Sequence, residues 1–174
     1  GDYVLCYAGG SQSKFYDIDW MKDLVTYTDR DGKEHWLFDG FLFLQIMDHG
    51  AGVAFDLDQG VDGRYLQAAL QSDWLDLINY WFEDGQCLDA IDRCVAEAAE
   101  RLGDPGYKRE IIISIPNPIP YKNPVANTGG TRYWGLLDGE VADFSRPEDR
   151  LAACKWFIDE VLERYHQHRY RYIE

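Results

Sequence analysis

The side chains best suited to chemistry in this chain are carboxylates. Asp39 interrupts the apolar run Trp36 to Ile46 (WLFDGFLFLQI), and Asp48 follows that run with His49 behind it. A lone buried carboxylate is costly unless paired, so Asp39 must meet a buried Arg or backbone donors, or else face an interior beside a ligand. Asp56 to Gly63 (DLDQGVDG) places carboxylates at alternate positions, as a calcium loop does. Val61 stands where such a loop needs Gly, and Gln67 where it needs Glu, so the run reads as a polar surface loop. His166 and His168 lack the i, i+4 spacing that points two imidazoles at one metal. Gly9-Gly10 and Gly129-Gly130 lack the spacing of a phosphate cradle, and no GxSxG elbow is present. No metal and no cofactor is expected.

The cysteines add no redox chemistry. Cys6, Cys87, Cys94 and Cys154 form no CxxC pair. Cys87 and Cys94 fall on one predicted helix roughly 10 Å apart along its axis, too far for a disulfide. All four read as small buried thiols.

Composition bounds the partners. The chain has 174 residues, 31 acidic and 17 basic side chains and a formal charge of -14. So acidic a surface repels phosphate backbones, which excludes nucleic acid as the expected partner. No apolar run approaches the roughly 20 residues of a membrane span. Aromatic residues make up 15% of the chain, enough to furnish both a core and a cleft.

The elements that must position these groups alternate. Tyr3 to Ala8 predicts a strand, Met21 to Tyr27 a short helix ahead of the Asp29–Lys33 turn, and Trp36 to Ile46 a buried strand. Gly50 to Gly63 reads as loop. Asp73 to Phe82 predicts a helix capped by Ser72. Cys87 to Leu102 predicts an amphipathic helix stopped by Gly103. Glu110 to Ile115 predicts another buried strand, ended by Pro116-Asn117-Pro118. Residues 116–144 read as one long loop, of the kind that is usually functional or mobile. Ser145 to Glu148 matches a capping box opening a last helix, and Arg169 to Glu174 looks like the start of one more strand. Such alternation specifies parallel βαβ crossovers in a single α/β unit spanning residues 1–174. A flavodoxin-like arrangement is disfavoured, because no phosphate-binding loop follows the first strand.

Several phrases resemble a bacterial family catalogued as domain of unknown function 4855. They are Tyr7 to Gly10 (YAGG), Trp36 to Leu44 (WLFDGFLFL), Ile113 to Pro118 (ISIPNP), Tyr133-Trp134-Gly135, and Lys155 to Glu160 (KWFIDE). The resemblance runs from about residue 3 onward, in matching order. It implies a secreted, periplasmic or cell-surface protein of polysaccharide-degrading bacteria and a glycosidase-type TIM barrel, of which this chain is the N-terminal half. It brings no catalytic residue with it. A further strand carrying a Glu is expected directly after Glu174.

In such a barrel, function lives at the C-terminal ends of the strands. Those ends hold Gly9, Gly10, Ser11 and Gln12, then Gln45, Asp48 and His49, then Asn117 and Tyr121. Glycoside hydrolysis needs two carboxyl groups flanking the scissile bond. Asp48 is the best-placed candidate, with Glu174 or a later Glu as its partner. Gln45, Asn117, Tyr121, Tyr133 and Trp134 are the candidate binding residues, and Trp134 could either stack on a sugar or plug the barrel as core. Asp39, at the start of its strand, is expected to be structural. The expectation is an extracytoplasmic glycoside hydrolase acting on a polysaccharide or oligosaccharide. The alternative is a non-catalytic carbohydrate-binding or interaction module on the same scaffold. An exposed sheet edge would favour a homodimer.

Overall fold

The computed structural model describes residues 1–7, 15–45, 53–55, 67–104, 106–120 and 132–174. The first apolar run forms β1 (Tyr3–Tyr7). Asp17 then accepts the Trp20 N–H at 2.9 Å and so caps α1 (Ile18–Val25), which buries Met21 and Val25. The Asp-rich turn folds β2 (Thr26–Thr28) back on β3 (Glu34–Trp36) as an antiparallel hairpin. Asp29 Oδ1 holds that turn by accepting the Asp31 and Lys33 amides, each at 2.9 Å. The run expected as one strand therefore splits. Trp36 belongs to the hairpin, and β4 (Gly40–Leu44) begins after Asp39.

Within the stretch expected as loop, β5 (Val53–Ala54) forms, and it pairs in parallel with β6 (Gln67–Ala68). Next come α2 (Gln71–Trp81) and α3 (Cys87–Leu102). The α2 cap is not Ser72: the Asp73 carboxylate reaches back to the Leu70 N–H at 2.7 Å. α3 stops where Gly103 takes the left-handed conformation at φ 69°. β7 (Glu110–Ile113) follows. Within the stretch read as one long loop, β8 (Tyr133–Leu137) and β9 (Glu140–Asp143) form a second hairpin. Asp138 and Gly139 both adopt positive φ at its tip, the signature of an Asp-Gly hairpin turn. α4 (Pro147–His168) carries Pro in its first turn, as expected. Its N-cap is Arg146 rather than the expected Ser145 and makes no side-chain capping bond; Asp149 in the first turn instead accepts the Asp143 N–H of β9 at 2.7 Å.

The sheet is parallel, in the order β1-β4-β7. Tyr172 to Glu174 lies along the free side of β7 and begins a fourth member: Arg109 N–H donates to the Tyr172 carbonyl at 2.9 Å, and Ile111 N–H to that of Glu174 at 2.7 Å. Order in space thus follows order in the chain. A flavodoxin-like sheet would place its second strand outside its first, so that topology is excluded. Among the described residues the sheet is open, and no barrel is closed.

Period-two alternation gives the sheet unlike faces. Val4, Phe41 and Ile111 form one row on the helix side, and Cys6, Phe43 and Ile113 the next. Cys6, Phe41 and Phe43 are wholly buried there. Behind them stands an aromatic wall. Trp81 lies 6.5 Å from Phe43, and Phe157 lies 6.0 Å from Trp81 and 5.6 Å from Trp74. Trp134 completes the wall, 5.0 Å from Trp74, 5.3 Å from Phe144 and 5.4 Å from Trp156.

The β8–β9 hairpin packs on α2 and α4, and the Gln71 side chain fixes its edge. Its Nε2 donates to the Leu136 carbonyl at 2.8 Å while its Oε1 accepts the Leu136 N–H at 2.9 Å, as a neighbouring strand would. Gly135 is required at this spot, since a Cβ there would overlap the body of the Gln71 side chain. Gly135→Ala should cost about 1–3 kcal/mol by overpacking. Trp134→Ala should cost about 3–5 kcal/mol, as for a buried aromatic. Chemical denaturation of the three proteins checks both values.

Candidate functional site

At the strand starts, polar groups tie the sheet together. Asp39 accepts the Asp2 N–H at 2.9 Å on one carboxylate oxygen and the Tyr107 hydroxyl at 2.5 Å on the other. Its backbone bonds both neighbours, with N–H donating to the Asp2 carbonyl at 2.8 Å and C=O accepting the Glu110 N–H at 3.1 Å. One residue thus joins the beginnings of all three strands. The Tyr107 hydroxyl and the Asp2 amide hold the Asp39 carboxyl below its ordinary pKa.

Arg109, which the sequence reading passed over, completes this end. It is wholly buried, with its guanidinium carbon 3.4 Å from the Tyr107 ring centre and 4.2 Å from that of Trp36. None of its three side-chain nitrogens has a hydrogen-bond partner. The two ring faces are its compensation, and desolvation draws its pKa down to about 10. The available signal was Tyr107-Lys108-Arg109 directly before an apolar strand, where alternation sends adjacent side chains to opposite faces.

Among the described residues, no helix covers the opposite face of the sheet. Leu5, Leu42 and Ile112 pair directly across three strands, and Leu5 and Ile112 are 56% and 43% exposed. Toward the strand starts the Tyr3 ring lies across Gly40, and its hydroxyl bonds Glu110. Toward the strand ends, Tyr7 pairs with Leu44. The result is an apolar floor with a tyrosine on the row at either end, the kind of surface that takes the flat, C–H-rich side of a ligand.

Of the residues expected at the strand ends, Gln45 and Asn117 lie among the described residues, each held by a backbone bond. The Gln45 N–H donates to Ser114 Oγ at 3.4 Å, and the Asn117 N–H to the Phe55 carbonyl at 2.7 Å. Asn117 is exposed, whereas Gln45 is buried and continues the alternation of Phe41 and Phe43 toward the helices. Its side chain is thereby removed from the open face. Asp48, His49, Tyr121 and Gly9 to Gln12 lie outside the described residues.

Two expectations need correction. Trp134 is 0% exposed and shares both ring faces and edges with Trp74, Phe144 and Trp156, so it is core and presents nothing to a sugar. Glu174 is not at a strand end: the pairing of Arg109 with Ile173 sets it level with Glu110. At about 3.3 Å per residue, that is roughly 13 Å along the strands from the level of Gln45 and Ser114. Its carboxylate instead lies 3.7 Å from Lys108. Tyr133, on the β8–β9 hairpin, is 51% exposed.

Among the described residues, no group of His, Cys, Asp and Glu could hold a metal ion, and no helix is long and apolar enough to cross a membrane. Cys6, Cys87, Cys94 and Cys154 are free thiols, the first three buried, and burial raises the pKa of each.

The strand-start lock has a pH signature. A carboxyl whose pKa is lowered by folding stabilises the native state above its unfolded pKa of about 3.9, and that share is lost as pH falls through the folded value. Asp39→Asn should therefore melt below the wild type at neutral pH, and the difference in Tm should shrink as pH falls below roughly 4. Thermal scans across that range check it; a difference that stays constant would mean that the charge contributes nothing.

A search of curated proteins and a search of solved structures each returned no match. A family model described as Domain of unknown function (DUF4855) matches residues 2–174. That match spans nearly the whole chain, β1 through the beginning of the fourth parallel strand, and the chain belongs to the DUF4855 family.

Proposed function

We propose that this unit is the N-terminal half of a TIM-barrel-like domain that acts on carbohydrate outside the cytoplasm, in the manner of a glycoside hydrolase. The observation that supports it is the sheet itself. Its parallel strands follow chain order, with helices on one side and an apolar, tyrosine-flanked face on the other. A (β/α) barrel grows by that winding, and its ligands bind at the C-terminal ends of its strands. The fold alone names no substrate. The sugar reading draws on exposed Tyr133 and Asn117 and on an acidic chain that disfavours polyanionic ligands.

In this reading Asp48, just beyond β4, is one of the two carboxyl groups. Its partner stands on a neighbouring strand end about 5–9 Å away, a distance set by whether the enzyme retains or inverts configuration. Glu174 has no part in the pair, because it stands at a strand start. Tyr121 and Tyr133 are the aromatic contacts, and Asn117 supplies amide hydrogen bonds to hydroxyl groups.

One observation favours the second reading, a carbohydrate-binding module without hydrolysis. The described groups at the strand ends, Gln45, Ser114 and Asn117, are amides and a hydroxyl.

Release of reducing ends from a panel of neutral polysaccharides, with a glycan array in parallel, separates the two readings. Hydrolysis that falls on the order of 10²–10⁴-fold in Asp48→Asn supports the enzyme. Hydrolysis at an unchanged rate removes Asp48 from the mechanism. Glycan binding without reducing ends establishes the module.

A further inference from the structure

The hairpin of β2 and β3 leaves one edge unpaired. Bonding alternates along an antiparallel pair, and its phase here is fixed from both ends. The Leu37 N–H donates to the Val25 carbonyl at 3.0 Å, and the Asp29 N–H to the Lys33 carbonyl at 2.9 Å. The register sets Tyr27 opposite His35, in that same phase, so the backbone of Tyr27 turns to β3 while Thr26 and Thr28 turn theirs away. The Thr26 N–H closes α1 on the Lys22 carbonyl. The Thr26 carbonyl and the Thr28 N–H meet no partner among the described residues. The same stretch of β2 borders a cleft of about 440 Å³ against α1 and α3, walled by Lys22, Asp23, Thr26, Thr28, Glu97 and Arg101. Its cations are already matched, Lys22 by Asp19 at 2.9 Å and Arg101 by Glu34 at 2.7 Å. Asp23 and Glu97 are exposed and have no ion pair among the described residues, so the unmatched charge of the cleft is negative.

We propose that this edge and cleft bind an extended basic segment of another protein, which pairs with β2 through its backbone and sends lysine or arginine side chains toward Asp23 and Glu97. In an added strand, the side chains level with Thr26 and Thr28 point to the face those threonines share. That face is turned to α3, because Thr26 Oγ1 donates to Glu34 at 2.7 Å and Glu34 accepts from Arg101. Cationic residues at alternate positions therefore enter the cleft. The residue between them lies on the outer face beside Tyr27, whose ring is stacked on His35 at 5.3 Å. A helix laid in the cleft has no backbone N–H to spare for the Thr26 carbonyl. A second copy pairing this edge with itself would bring two sets of unmatched carboxylates together. The cleft lies between α1, which joins β1 to β4, and α3, which joins β4 to β7. Binding there goes beyond the carbohydrate reading and does not depend on it.

The probe is the blocked peptide Thr-Lys-Val-Lys-Thr, titrated into the isotope-labelled full chain and followed by NMR. The Thr28 amide should shift, and its hydrogen exchange should slow by roughly tenfold or more at saturation. Two control peptides separate charge from pairing. Thr-Glu-Val-Glu-Thr reverses the charge, and the lysine peptide N-methylated at Lys-Val-Lys keeps the charge but loses the donors. Neither should protect Thr28. Asp23→Asn combined with Glu97→Gln, both at exposed side chains, should weaken the lysine peptide about threefold or more while leaving the fold intact. Equal binding of the N-methylated peptide would overturn the proposal, since charge alone would then suffice. So would lysine-peptide shifts that spare Thr28, no shift at millimolar peptide, or Thr28 protection that grows with protein concentration in the absence of peptide. All are read without any glycan, so the carbohydrate reading keeps its own test.

Discussion

A strand side chain can face only one of two sides, and on β4 that constraint divides the molecule. Phe41 and Phe43 point to the helices and Leu42 points away, with β1 and β7 held in matching register. A slip of one residue would put both phenylalanines in water and break the helix layer from the sheet. Burying each phenylalanine side chain is worth roughly 1.5–3 kcal/mol, a large share of the margin on which a domain of this size folds. Because both neighbours are parallel, each must return by a long crossover, and those crossovers are where the helices lie. The aromatic wall of Trp74, Trp81, Trp134 and Phe157 is thus a consequence of the register of β4, and so is the bareness of the other face.

The two ends of the sheet are built differently. At the starts, Asp39 is bonded to Asp2, Tyr107 and Glu110, and Arg109 is packed on two rings. These are fixed, partly desolvated interactions that hold strand beginnings in line. At the ends, β4 and β7 pass into short contacts with Ser114 and Phe55. In a parallel sheet with its helices on one side, that division leaves the ends free to vary in chemistry while the starts keep the register.

Much of this could be read from sequence wherever the signal was local. α3 matches its predicted bounds because its apolar stripe and Gly103 stop lie within one segment. The first and last strands of the apolar pattern were legible for the same reason. The caps of α2 and α4 were misread: Ser72 and Ser145 fit the rule, but in α2 Asp73 reaches back to the Leu70 amide from the first turn, and α4 starts after Arg146, whose side chain makes no capping bond. The β8–β9 hairpin was hidden in a stretch read as loop, although Asp138-Gly139 was its signal. Its strands owe their place to Gln71, some 65 residues away in sequence, which no local pattern reveals. Trp134 is the sharpest case. Beside Gly135 it resembles an exposed sugar platform, yet the glycine is there so that Gln71 can approach, and the indole turns into the core. Glu174 was misplaced for a related reason: that its segment opens a strand was legible, but only the ladder to Arg109 sets it level with Glu110 at the strand starts.

The exposed apolar surface fits neither a scatter of single residues nor an ordinary monomer surface. Leu5, Leu42 and Ile112 are contiguous across three strands, and Ile111 and Ile113 open, from the other side of the same strand, on an apolar groove shared with Leu162 and Tyr165. A chain of charge -14 tolerates such surface because repulsion between copies opposes self-association. That argues against covering either face with a second copy and in favour of covering each with something specific. The two faces are also coupled. Any strand seated on β7 must alternate, filling the groove with one set of side chains and widening the floor beside Ile112 with the other.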